Sequence, residues 1–390
     1  MTGTAVAPVP TTVRLASSRL LVSGVFAILG VVMAVWGARM PAVQAAANLG
    51  PGRLAIVLLA AAAGMVMGLQ LGGRLAHRYG PARLLAYPAV ILGLSLALLG
   101  TCRTLTSLSI VALAFGIGHG LLDVGANSAA VNLERAYQRG IMSSLHCAYS
   151  AGALAGAVLA AITTWAPHQL LFAAAGILTA TAAVAVMPLI RSAAGHLDTP
   201  AHQDLAERDD PRRLPIRTVW ILGFLAAACL LGEGAAADWS AVHLHTLHAS
   251  EATAAAAYAA YSAAMVAGRL FGDRLNAHFG PAAVVRAGAA LAATGLGIGL
   301  LIGSAPAALF GWMTLGLGLS TAVPALISAA GRGGPRAVGA VAATGYLGLI
   351  AGPAAIGALA SLSSLPVALA LPVLLAALVA LSAHRALEPK

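Results

Sequence analysis

Gly72-Gly73-Arg74-Leu75-Ala76-His77-Arg78-Tyr79-Gly80-Pro81-Ala82 is the stretch that decides the fold, because it occurs twice. Two hundred residues on, the chain reads Gly272-Asp273-Arg274-Leu275-Asn276-Ala277-His278-Phe279-Gly280-Pro281-Ala282. Gly, Arg, Leu, Gly, Pro and Ala recur in register, and Tyr79 pairs with Phe279. Each copy follows a long apolar run, the second run of its half. Duplication of a helical unit leaves such a trace.

Working outward, the apolar runs fix the class. The 390 residues are 60% hydrophobic and 9% charged, and mean hydropathy is +0.89. A soluble domain carries about 25% charged residues. A membrane helix needs about 20 apolar residues, and barrel strands would alternate polar with apolar. The runs Leu20–Ala38, Leu54–Gly73, Leu84–Thr101 and Leu105–Val131 read as the first four spans. The uncharged run Gly140–Ile190 splits at Trp165-Ala166-Pro167 into two more. Val219–Val242 and Ala252–Gly272 follow. Ala287–Gly331 splits at Gly303-Ser304-Ala305-Pro306, and Ala337–His384 splits at Ser361–Pro366. The expectation is an all-α membrane protein of twelve transmembrane helices in two pseudo-symmetric six-helix bundles. Residues 1–190 and 217–390 form the bundles, and the polar stretch 191–216 is the cytoplasmic linker.

The net charge of +10 does not indicate nucleic-acid binding, because the charges sit in short loops between apolar runs. With both termini cytoplasmic, only Arg39, Arg53 and Arg103 of the 22 basic residues face outward, which satisfies the positive-inside rule. Arg far outnumbers Lys, and Ala and Gly abound, a codon-usage pattern of GC-rich bacteria. The location expected is the bacterial inner (cytoplasmic) membrane. Cys102, Cys147 and Cys229 are scattered and read as small hydrophobes. His243, His245 and His248 lie beyond the seventh span, with no acidic or Cys ligand beside them, and read as a solvated loop. No metal or cofactor is expected.

Ionisable residues inside the spans carry the functional signal, since a carboxylate in mid-membrane costs roughly 2.5–3.5 kcal/mol on insertion scales. Asp123, Glu233 and Asp238 are such groups. His119, Asp123 and Asn127 recur every four residues and share one helix face, while Gly116 and Gly120 allow close approach of a neighbouring helix. Glu233 and Asp238 point about 140° apart on an unbroken helix. Proton coupling is assigned to Asp123, Glu233, Asp238 and His119. Substrate binding is assigned to Asn127, His146, Trp36, Trp239, Tyr149 and Gln70, whose aromatic, imidazole and amide groups suit a polyol. Arg39, at the end of span one, is a gate or a snorkelling side chain.

The repeated loop resembles the signature of the major facilitator superfamily, Gly-x-x-x-Asp-Arg-x-Gly followed by basic residues. Gly73, Arg78, Gly80 and Arg83 fit it; His77 stands where the family has Asp. The resemblance makes these residues, with Asp273 and Arg274, the conformational loops. Span four (Gly116–Asn127), the stretches Ser143–His146 and Gly152–Gly156, and Glu233–Ser240 resemble the fucose–proton symporter branch and its bacterial relatives. There the span-four acid is a protonation site, a role that passes by position to Asp123.

The resemblance implies proton-coupled secondary transport of a small polar, sugar-like solute by alternating access. A proton antiporter exporting a metabolite or antibiotic is the alternative, though span five has Gly152 and Gly156 without the Pro typical of exporters. No nucleophile–base or metal constellation supports an enzyme. The expected partners are a small-molecule substrate, protons and the bilayer, with a monomer as the working unit.

Overall fold

The computed structural model describes residues 12–49, 51–163, 165–198 and 214–387. Spans one to six are Thr12–Ala38, Pro51–Tyr79, Arg83–Leu99, Leu105–Tyr137, Met142–Ile162 and His168–Ala185. Spans seven to nine are Ile216–Thr246, Glu251–Phe279 and Pro281–Ile302. Span ten is Ala305–Leu319 continued as Ala322–Ala330, and spans eleven and twelve are Gly334–Leu362 and Ala370–Leu387. Among the described residues, eight helical stretches are long and apolar enough to cross a membrane. One of them runs from Ala305 to Leu362 over spans ten and eleven, and Arg83–Leu99 is a shorter apolar helix.

Both halves pack by one scheme. Span two lies on span four, one on five, three on six, and three on four. In the second half span eight lies on ten, seven on eleven, nine on twelve, and nine on ten. Adding six to each number in the first set gives the second, so the repeat seen in the loops extends to whole bundles. The bundles meet through span two on span eleven and span eight on span five, which are themselves equivalent contacts.

Glycine sets the helix spacing. A Cβ on Gly116 or Gly120 would run into span-two backbone at Ala61–Met65 and Met65–Leu69. Gly152 and Gly156 meet Ala27 and Val31 of span one in the same way, and Gly348 meets Ala227 of span seven. Lipid tails are as apolar as Leu, so close van der Waals packing of this kind drives association inside a bilayer.

The structure revises the edges of the sequence reading. Most of the repeated loop is helical: span two continues to Tyr79, with His77 and Arg78 in its last turn, where cations suit the helix dipole. It ends at Gly80, whose φ of 83° favours glycine. The expected linker begins as helix, since Met187–Leu197 extends past residue 191, and the acidic positions 204–210 lie outside the described residues. Asp198 follows it and accepts the Ala82 N–H at 2.8 Å, with its carboxyl packed over Gly80. Partial burial pushes the Asp198 carboxyl above the usual carboxylate range, while the Ala82 N–H and nearby Arg83 pull it down. Span seven reaches Thr246, four residues beyond expectation, which draws His243 out of the expected solvated loop. It is buried with its ring edge-on to Trp312.

Span ten breaks at Ser320–Thr321 because Pro324 has no N–H to give the Ser320 carbonyl four residues back. That carbonyl is free to accept from elsewhere.

Replacing Gly116 with Leu should destabilise the fold by about 1–3 kcal/mol, the usual range for overpacking, because the obstructing atoms are backbone. Gly24→Leu, where nothing lies within 4 Å of a Cβ, serves as control. Thermal unfolding in detergent reads the difference, and equal midpoints for the two variants would contradict the packing scheme.

Candidate functional site

The polar face of span four opens the site. His119, Asp123 and Asn127 are all buried there. Asn127 Nδ2 donates to the Asp123 backbone carbonyl at 2.9 Å. Asn127 Oδ1 lies 3.2 Å from His146 Nε2, so the imidazole donates from Nε2 if this bond is made. The hydroxyl of Tyr346, which stands on span eleven in the other bundle, and the Asn127 amide both lie close enough to the Asp123 carboxylate to act on it. Asp123 therefore faces the interface between the bundles.

His119 is placed differently from a partner of Asp123. Its Nδ1 faces Met65 Sδ at 3.1 Å, and its ring stands edge-on to Tyr346 at 6.2 Å. Among the described residues the ion pair of the molecule is Arg269–Glu233, and none joins His119 to Asp123. His119 and Asp123 share a face by their four-residue spacing, but a shared face does not oblige two side chains to meet.

The second half contributes Glu233 and a group the sequence reading passed over. Arg269, buried in span eight, sets Nη2 3.9 Å from Glu233 Oε2 of span seven. Its Nε donates at 3.4 Å to the Ser320 carbonyl that Pro324 releases. Its Nη1 donates to Ser150 Oγ of span five, in the opposite bundle. One guanidinium thus holds an acid of its own bundle, a broken backbone turn and the facing bundle. Tyr149 of span five is within electrostatic reach of both Glu233 and Asp123. Tyr258 and Tyr261 of span eight complete this side, their rings stacked at 6.0 Å.

At one end of the molecule the bundles are held together by backbone. Asp273 Oδ1 and Oδ2 accept the N–H groups of Ser143 and Ser144, each at 2.9 Å, at the start of span five. A carboxylate on a helix N-terminus meets unpaired donors and the positive dipole end. The equivalent position in the first half is Gly73, which packs without charge on Pro335 and Arg336 at the start of span eleven. Arg135 Nη2 donates to the Gly331 carbonyl, and Ser328 Oγ donates to Glu134 Oε1, both at 2.7 Å across the interface. Arg78 and Arg83 lie over the Tyr79 ring, and Arg274 is exposed.

Trp36, Gln70 and Trp239 are not among the groups hydrogen-bonded or ion-paired around Asp123 and Glu233. Trp36 is buried within the first bundle, packed on Phe115 at 5.0 Å and Phe172 at 6.4 Å. Gln70 lies on the exposed stripe of span two with Leu59 and Met67, away from the glycines that meet span four. Trp239 packs against Gly357 of span eleven, with its indole nitrogen buried and unpartnered. Asp238 is exposed, and Arg39 donates to Thr163 rather than to any carboxylate. A separate groove of about 690 Å³ lies among spans one, three, four and six and the Met187–Leu197 helix. Its lining is mainly apolar, and it shares no residue with the Asp123–Glu233 site.

This geometry is the setting for the comparisons. The family model of the Major Facilitator Superfamily matches residues 15–335. An uncharacterised MFS-type transporter of Yersinia pestis is 34% identical over 369 residues, covering 92% of this chain and 93% of that one. The chain belongs to the major facilitator superfamily of transporters. Among solved structures, FucP in the outward conformation, the fucose:proton symporter of E. coli, superposes with a TM-score of 0.71 at 16% identity, covering 95% of this chain and 99% of that one. The proton:xylose symporter XylE gives a TM-score of 0.73 at 14% identity, covering 95% of each chain. At such identities these likenesses speak for the fold: twelve membrane helices in two pseudo-symmetric bundles.

Cys147, partly buried on span five near Arg269 and Asp273, is a natural reporter of this closed end. Losing a charged hydrogen-bond pair worth about 1.5–3 kcal/mol should shift opening roughly ten- to a hundredfold. Asp273→Ala is therefore expected to speed labelling of Cys147 by a water-soluble maleimide by about that factor, in a Cys102→Ser/Cys229→Ala background. An unchanged rate would show that the Asp273 contact does not hold the bundles shut.

Proposed function

We propose that the protein is a proton-coupled secondary active transporter that imports a small polar, sugar-like solute by alternating access. The observation that carries this reading is the pair of carboxylates at the bundle interface, each linked to the opposite bundle. Asp123 faces Tyr346 of span eleven, and Glu233 reaches Ser150 through Arg269. Protonating either acid weakens its link, so proton binding and bundle rearrangement are coupled through the same bonds. His146, Asn127 and Tyr149 offer donors and acceptors between the acids for a hydroxylated solute. FucP and XylE, both named as proton symporters of sugars, support the same reading.

In this scheme Arg269 is the positioning residue for Glu233. Asp273 and Gly73 are the points where the conformational loops grip the facing bundle. The bundles are residues 1–190 and 217–390, joined by the linker 191–216. The protein acts as a monomer in the bacterial inner membrane with both termini cytoplasmic, needs no cofactor, and performs no enzymatic step.

Reconstitution in liposomes with an imposed pH gradient, screening labelled sugars and polyols in both gradient directions, tests the proposal. Asp123→Asn should abolish gradient-driven accumulation, while exchange persists at about a tenth or more of the wild-type rate, since asparagine keeps the acceptor but cannot ionise. Arg269→Gln should lose accumulation through failed coupling, with Arg269→Lys recovering part of it. Undiminished accumulation in Asp123→Asn would reject the coupling role.

A further inference from the structure

The end of the first bundle opposite the Asp273 contact gathers positive charge without a counter-charge. Arg39 is only 7% exposed, yet its hydrogen bonds go to the Thr163 carbonyl and hydroxyl, and its Nε has no partner. His168, 6% exposed at the first position of span six, has an unpartnered Nε2. Arg39 and Arg103 both act on His168 electrostatically.

Packing explains the convergence. Trp36, one turn before Arg39, and His168 both lie on Phe172. Gly100, whose carbonyl accepts from Arg103, packs on Gln169 and Phe172. Among the described residues no carboxylate pairs with Arg39, Arg103 or His168. Buried charges are ordinarily paired, and a buried polar atom with no partner asks for a missing water or ion.

We infer that Arg39, Arg103 and His168 form a binding site for a phosphate-class oxyanion at this end of the first bundle. The guanidinium fork suits a planar or tetrahedral oxyanion better than a point charge does. The first N–H groups of span six stand beside His168 and add donors. Gln169, whose amide oxygen is buried without a partner, can turn its amide to donate. The site lies at the level of the membrane surface: Trp165 is 81% exposed and Leu170 is 59% exposed beside it, as for side chains anchored among headgroups. Two sources of the oxyanion fit this position, the phosphate of a phospholipid and free phosphate from the adjoining aqueous phase. The site shares no residue with the Asp123–Glu233 region, so it stands apart from the proposed transport.

The test uses the full chain purified in zwitterionic detergent. Thermal unfolding is followed during titration with inorganic phosphate against potassium chloride of equal ionic strength. Native mass spectrometry reads retention of added phosphatidylglycerol. Wild type should bind at least one of these, and Arg39→Gln or His168→Gln should weaken that binding about tenfold, the loss of one charged hydrogen bond. Arg103→Glu changes an exposed side chain and keeps the buried pair, so it tests the site even if Arg39→Gln fails to fold. Arg53→Gln, an exposed arginine outside the cluster, should bind as wild type does.

Phosphate binding alone identifies a soluble-ion site, and lipid binding alone identifies a headgroup site; either supports the proposal. If neither ligand binds, or if Arg103→Glu and His168→Gln bind as tightly as wild type, water alone satisfies these groups and the proposal is overturned.

Discussion

A charge taken out of water must find its compensation inside the protein, and the interior of this molecule is arranged around that requirement. Hydrocarbon supplies no hydrogen bonds, so every ionisable group within the spans needs a partner inside the protein. Asp123 finds Tyr346 and Asn127; Glu233 finds Arg269. Because the partners of Asp123 and of Arg269 lie partly in the facing bundle, solvation of the acids and contact between bundles become the same set of bonds. That identity is what makes proton coupling the natural reading of the site.

The two halves share a packing scheme but not a chemistry. Glycines bring equivalent helix pairs together in both bundles. The equivalent grips between bundles differ: Asp273 ends on two backbone N–H groups, while Gly73 ends on backbone without charge. The first grip depends on an electrostatic contact with a helix terminus and the second on fit. The same division holds at the bundle interface, where the first half supplies an acid with hydrogen-bonding neighbours and the second supplies an acid with a cation.

Legibility in the sequence followed what each inference needed to know. Span number and the correspondence of the two halves were readable because length, charge placement and the 200-residue offset are properties of the chain alone. Gly116 and Gly120 were readable as a packing face because helical spacing sets it. The burial of Trp36 on Phe115 and Phe172 was not readable, because composition does not say which helix face meets which neighbour. His243 was misread because span seven continues past its last strongly apolar residues. Arg269 was passed over although the repeat marked it: position 69, its counterpart, is Leu. A cation present in one copy only was the available signal. Tyr346 offered none, since its importance arises when span eleven meets span four.

Span ten shows how a missing atom can act as a ligand-forming event. Pro324 cannot return a hydrogen bond to Ser320, and the orphaned oxygen becomes one of the tethers of Arg269. The hinge in one helix and the cation in its neighbour are therefore a single chemical unit. If the hinge straightens or bends further, the tether stretches or swings, and the field at Glu233 changes although no charged residue has been replaced. A backbone vacancy in span ten thereby sets the electrostatics of an acid on span seven.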